Sequence, residues 1–167
     1  MAKTEVLPSA DSVMTRKVYT VHEEMSVDQV IRELLRHEIS TAPVIRKEKG
    51  KKLLVGFISE RDCLDNLTNV IFYGRRQADT AADIMKKHPL CVSPETDIFG
   101  LVSIFISHDM RHLPVVENEA LVGIVSRRDV LKALTQYQKR KVVREDEASQ
   151  HDLSQLVNMR FVMRGRR

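Results

Sequence analysis

Val27, Val30, Ile31, Leu34 and Leu35 recur at the three- and four-residue spacing of one helical face, and Ile98, Leu101, Val102 and Phe105 repeat that spacing further along. Ser26 precedes the first run with Gln29 three residues on, the reciprocal pattern in which two side chains satisfy free backbone N–H groups of a helix start. Thr96 or Asp97 can cap the second run. Both apolar stripes are expected to face a core. After each helix come two short β-rich runs, APVIR with LLVGFI and LPVVE with LVGIV, joined by polar loops and read as hairpins. Short extended segments at residues 18–21 and 90–92 lead into the helices. Each unit then closes on Ser-x-x-Asp, Ser59 with Asp62 and Ser126 with Asp129, which opens a further helix. The predicted order is βαββα, twice.

The two halves also align residue by residue. At an offset of 71, Val13-Met14-Thr15 falls on Ile84-Met85-Lys86, Val21 on Val92, His37 on His108, and Pro43-Val44-Ile45 on Pro114-Val115-Val116. The offset then drops to 67, carrying GFISERD at 56–62 onto GIVSRRD at 123–129. The four missing residues fall between RKEKGKKL and the shorter ENEAL, and are assigned to a hairpin loop that tolerates length change. The expected organisation is an N-terminal extension (1–12), repeat 1 (13–70), a linker near FYGRRQADTAAD (71–83), repeat 2 (84–137) and a basic tail (138–167).

At 167 residues and 43% hydrophobic content, the chain can hold one compact core or two small repeats sharing one. No apolar run approaches the ~20 residues of a membrane span, and MAKTEVLPSADSV lacks the apolar centre of a signal peptide, so a cytoplasmic protein is expected. The net charge of +4 arises in the tail: residues 1–134 hold 19 basic and 19 acidic side chains, residues 135–167 hold 8 and 4. The body is therefore not a nucleic-acid surface by charge, and 5% aromatic content offers little for bases to stack on. Cys63 and Cys91 have no metal-ligand or disulfide spacing and are read as small buried hydrophobes.

The Ser-x-x-Asp pairs carry two readings. As capping boxes they need no ligand, and each cap is worth about 0.5 to 2 kcal/mol. As a binding element, the exposed amides of the first turn suit an anion and the carboxylate can accept hydrogen bonds from a ribose diol. Nothing else resembles a catalytic constellation: there is no HExxH, no Walker A loop and no nucleophile with an indicated base. His37 and His108, each in a last helical turn, are read as structural.

Met-Thr (Met-Lys in the second copy), helix, h-P-V-h and G-h-h-S-x-x-D in that order, twice, resemble a tandem pair of CBS (cystathionine β-synthase) domains, a Bateman-type module. The resemblance covers residues 13 to about 134. It implies an α/β (α+β) fold with the repeats related by a pseudo-two-fold axis, two clefts that bind adenosine-containing ligands, and assembly into a homodimer. Carried over by position, cleft A joins Asp129, on the ribose hydroxyls, and Ser126 with Thr20, Val21, Ala42 and Pro43, and Arg61 covers its phosphate. Cleft B joins Asp62 and Ser59 with Cys91, Val92, Leu113 and Pro114, with Arg128, Arg111 and His112 toward the phosphates.

The clefts are expected to differ. Where repeat 2 has Met110-Arg111-His112, repeat 1 has Ile39-Ser40-Thr41, so cleft B gains a guanidinium and an imidazole and is the better polyphosphate candidate. The resemblance therefore implies a non-enzymatic, ligand-sensing regulatory module for AMP, ATP, NAD or S-adenosylmethionine, acting through its own assembly or on a protein partner in trans, with no membrane and no metal. The alternative is an interaction protein with vestigial clefts whose basic tail contacts a partner or nucleic acid. Within that tail Met159, Phe161 and Met163 alternate with Arg160, Val162 and Arg164, the period of a strand. Burial against protein explains that alternation better than phosphate contact does.

Overall fold

A computed structural model describes residues 7–74, 78–108 and 110–141. Its elements in chain order are α1 (Ala10–Val13), β1 (Val21–His22), α2 (Val27–Arg36), β2 (Thr41–Glu48), β3 (Lys51–Ser59), α3 (Glu60–Tyr73), α4 (Ala81–Ile84), β4 (Lys86–Lys87), α5 (Ile98–Ser107), β5 (His112–Glu117) and β6 (Ala120–Ser126). A last helix, α6, occupies residues 127–141. The tail expectations lie outside the described residues beyond 141.

The caps form as the side-chain chemistry requires. Ser26 Oγ accepts from Gln29 N at 3.2 Å while Gln29 Oε1 accepts from Ser26 N at 2.9 Å. Of the two candidates before α5, Asp97 is the cap, its Oδ1 accepting from Phe99 N and Gly100 N. The apolar stripes are buried at Val27, Val30 and Leu34, and at Ile98, Leu101 and Phe105. Leu35, expected in the core, is instead 68% exposed. One face of a short helix suffices for the contact, and a fifth apolar residue overruns it.

Both hairpins turn in two residues, Lys49-Gly50 and Asn118-Glu119, all with positive φ. That handedness matches the twist of the flanking strands, and Gly50 at φ 77° adopts it without steric cost. The four-residue difference between the copies is therefore not in a loop. β2 and β3 are 8 and 9 residues long, β5 and β6 are 6 and 7, so the extra length is paired strand. The strands form one sheet in the order β1-β2-β3-β6-β5, with β4 pairing β3, and Leu53 opposite Ala120 joins the repeats.

The leading segment of each repeat packs on the other repeat. Thr15 bridges Ile124 and Lys86 pairs with Phe57, two contacts related by the repeat offsets. Ala10 N donates to Thr96 O at 2.8 Å, and its equivalent Ala81 N donates to Met25 O at 2.8 Å. Ser9 bridges Asp97 as Thr80 bridges Ser26. As a result Ala10, Val13 and Met14 complete the core of Val92, Ile98, Leu101, Leu113, Val115 and Val125. Ala81, Ile84 and Met85 complete that of Val21, Val30, Leu34, Ala42, Val44 and Ile58. The equivalence thus reaches back to Ser9 and Thr80, into stretches expected to be extension and linker, and α3 runs through Phe72 and Tyr73 to the left-handed cap Gly74.

Candidate functional site

Each Ser-x-x-Asp sits where a hairpin's second strand becomes a helix. Ser59 N and Oγ donate to Asp62 Oδ2 at 2.8 and 2.5 Å, and Ser59 Oγ receives Asp62 N at 3.4 Å. Ser126 and Asp129 repeat this at 3.0, 2.5 and 3.2 Å. The capping role is real in both copies. It uses only Oδ2 of each carboxylate, which leaves Oδ1 outside the box.

Both boxes are anchored to the start of the neighbouring strand, Glu60 N to Ser40 O at 3.0 Å and Arg127 N to Arg111 O at 3.3 Å. These two strand starts meet: Thr41 Oγ1 and His112 Nδ1, equivalent positions of the two repeats, lie 3.3 Å apart. Burial pushes the half-buried His112 below the ordinary imidazole pKa; the Asp129 carboxylate opposes that shift and the Arg111 charge adds to it.

A cavity of about 600 Å³ opens beside this contact, within the size range of small-molecule sites. Ser59, Asp62, Arg111 and His112 line it together, as expected of cleft B. Phe57, Pro89, Leu90 and Met110 give it an apolar wall. Arg61, expected over cleft A, lines this cavity instead, since it shares the first turn of α3 with Asp62. Lys86, Lys87 and His88 also line it, and the sequence reading does not anticipate them. They arrive through the β3–β4 pairing, and their only signal is the aligned Met85-Lys86 start of repeat 2.

Other expected residues are not on that wall. Val92, Leu113 and Pro114 are buried, with Val92 N donating to Pro114 O at 3.0 Å. Cys91, expected to be buried, is exposed, and Arg128 is exposed on α6. Cys63 is buried directly after Asp62; desolvation, with the Asp62 and Glu60 charges, pushes its thiol up to about 11. On the cleft A side, Thr20, Val21 and Ala42 come together with Tyr19, His37 and Ile39 around a void of only about 20 Å³. Pro43 is buried in the adjoining strand, and Ser126, Asp129 and Arg61 are not among that void's lining. His37 stacks on Tyr19 at 3.8 Å between ring centroids and contacts Glu33 at 3.3 Å; His108 Nδ1 contacts Ile104 O at 3.2 Å. Both histidines have structural partners.

Among the described residues no cluster of metal-ligating side chains occurs, and no helix is long and apolar enough to cross a membrane.

A duplicated βαββα unit whose copies exchange leading segments and pair two capped acids about a central contact defines a tandem-repeat module. The chain belongs to the CBS domain family, whose sequence profile matches residues 10–69 and 81–136. It is 30% identical over 124 residues to an uncharacterized 17.7 kDa protein of Acidianus ambivalens, spanning 73% of this chain and 70% of that one. It is 34% identical over 122 residues to an inosine-5′-monophosphate dehydrogenase of Korarchaeum cryptofilum, spanning 72% of this chain but only 23% of the dehydrogenase. Among solved structures, CBSX2 in complex with AMP superposes with a TM-score of 0.64 at 26% identity, covering 78% of this chain and 98% of CBSX2, a protein of Arabidopsis thaliana.

Proposed function

We propose that this protein is a regulatory module that binds adenosine-containing ligands between its two CBS repeats, with no chemistry of its own. The observation that carries this reading is Asp62. Its cap consumes Oδ2 alone, so Oδ1 remains to accept from a ribose hydroxyl inside a cavity that offers both an apolar wall for a base and cations for a phosphate. The AMP held by the similar CBSX2 supports an adenosine ligand. Binding would bridge α3 to the start of β5 in repeat 2, so occupancy would change how the repeats sit at the Thr41–His112 contact, and that movement would be the signal passed to a partner in trans.

Calorimetry with AMP on the wild type, Asp62→Ala, Asp129→Ala and the double variant tests the reading. Asp62→Ala should abolish binding in the larger cavity and Asp129→Ala should leave it, with the fold persisting in both, because losing the acid of a capping box costs at most about 0.5 to 2 kcal/mol. Undiminished AMP affinity in the folded double variant would refute it.

A further inference from the structure

The basic side chains around the larger cavity are more numerous than holding one phosphate requires. Arg61 comes from the first turn of α3, Lys86 and Lys87 from β4, and Arg111 from the residue before β5, four permanent cations from three separate parts of the fold. His88 and His112 stand beside them, and among the described residues of the lining Glu60 and Asp62 are the acids that oppose them. None of the ion pairs among the described residues uses any of these four cations. Lys87 acts at longer range on Asp83, whose carboxyl is held low first by backbone and hydroxyl donors from Thr80.

The other side of the pseudo-two-fold is built differently. By the repeat offset, Lys86, Arg111 and His112 are replaced there by Thr15, Ser40 and Thr41. Lys87 is replaced by Arg16, whose guanidinium is taken up by Asp11 at 2.7 Å. Arg61 and His88 correspond there to Arg128 and Lys17, so both sides carry cations, and what marks the larger cleft is that Arg61, Lys86, Lys87 and Arg111 together line its cavity of about 600 Å³.

We infer that this cleft reads phosphate number, selecting a nucleoside polyphosphate over the monophosphate and over a cationic sulfonium ligand, with Lys86 and Lys87 as the residues that set the preference. The inference rests on the nucleoside reading above for the base and ribose. Each further phosphate adds negative charge and strong acceptor oxygens toward cations that no ion pair among the described residues engages, and hydrogen bonds between charged groups are the strong ones. A sulfonium placed among the same four cations is repelled instead. Because β4 belongs to the leading segment of repeat 2 and lies on β3 of repeat 1, a bound polyphosphate would also clamp that exchange.

The experiment is a calorimetric series on the full chain with adenosine, AMP, ADP, ATP, S-adenosylmethionine and inorganic tripolyphosphate, repeated on Lys86→Ala/Lys87→Ala. Affinity should rise from AMP to ATP by at least about tenfold, and the double variant should lose about that factor for ATP and for tripolyphosphate while adenosine stays within about twofold. Equal affinity for AMP and ATP, or tighter binding of S-adenosylmethionine than ATP, would overturn the inference while leaving the nucleoside reading standing. Tripolyphosphate binding that depends on the two lysines, with no nucleoside binding at all, would support the phosphate site and overturn the nucleoside reading. No binding by any of the six would overturn both.

Discussion

Replacing Gly56 by Ala tests whether the exchanged leading segments hold the fold together. Gly56 lies in β3 directly beneath the segment after α4. A Cβ there would enter the space of the Met85 sulfur, come 2.8 Å from Met85 Cγ and stand 3.1 Å from the Lys86 carbonyl oxygen. The methionine can swing, but the carbonyl belongs to the β3–β4 pairing and cannot move without breaking it. Overpacking of this kind costs about 1 to 3 kcal/mol, and the backbone obstacle places Gly56→Ala near the middle of that range, about 2 kcal/mol. For a chain of this size that lowers Tm by about 4 to 8 °C. For Gly123→Ala the nearest atoms all belong to Met14, with Cγ at 2.9 Å and Cβ at 3.2 Å, and with no backbone carbonyl among them its penalty should be somewhat smaller. Urea unfolding of Gly56→Ala, Met85→Ala and the pair reads the result as shifts in midpoint. Shortening Met85 makes room for the new methyl, so the pair should be more stable than the summed single effects by at least about 1 kcal/mol. An unchanged midpoint for Gly56→Ala, or strict additivity of the pair, would refute the packing argument.

Burial holds His112 below its ordinary pKa of 6.5, so its contribution to stability is complete above that value and is lost as pH falls toward the folded-state value, because the unfolded chain takes the proton first. Urea midpoints at roughly pH 7.5 and 5.5 should therefore differ less in His112→Gln than in the wild type, and an unchanged pH slope would show that His112 does not titrate this way. A homodimer is expected through the exposed apolar residues of α3, where Leu64, Ile71, Phe72 and Tyr73 are 61%, 72%, 76% and 70% exposed, together with Leu131 on α6 at 66%. Light scattering at micromolar concentration should give twice 19.2 kDa for the wild type and a monomer for Leu64→Asp/Phe72→Asp, and a monomeric wild type would refute the dimer.

What can be read from the sequence follows the range of the interactions. The boxes at Ser26, Ser59 and Ser126 each close within three residues, so the letters that specify them are adjacent, and the hairpins are equally legible from their alternating runs. The duplication alone places the two acids in equivalent positions. Pairings such as Thr15 with Ile124 and Lys86 with Phe57 leave no local mark, because backbone pairing at so short a contact demands no particular side chain. That is why Lys86, Lys87 and His88 signal their place in the cavity only through the aligned Met85-Lys86 start of repeat 2, and why Arg61 falls in the cleft opposite the one expected for it. Exposure is hidden for the same reason: Leu35 and Cys91 are apolar enough for a core that ends one position short of them.

The crossing of the two leading segments makes this duplication indivisible. In an array of beads, either copy can be lost or shuffled and the survivor still folds. Here each copy keeps in its own core a piece of chain that belongs to its twin, so deleting one strips the apolar cover from the other. Two separate copies would have to embrace as a pair of identical chains, whereas joining them in one polypeptide leaves each side free to differ. Lys86, Arg111 and His112 opposite Thr15, Ser40 and Thr41 are an inequality that no pair of identical chains could encode.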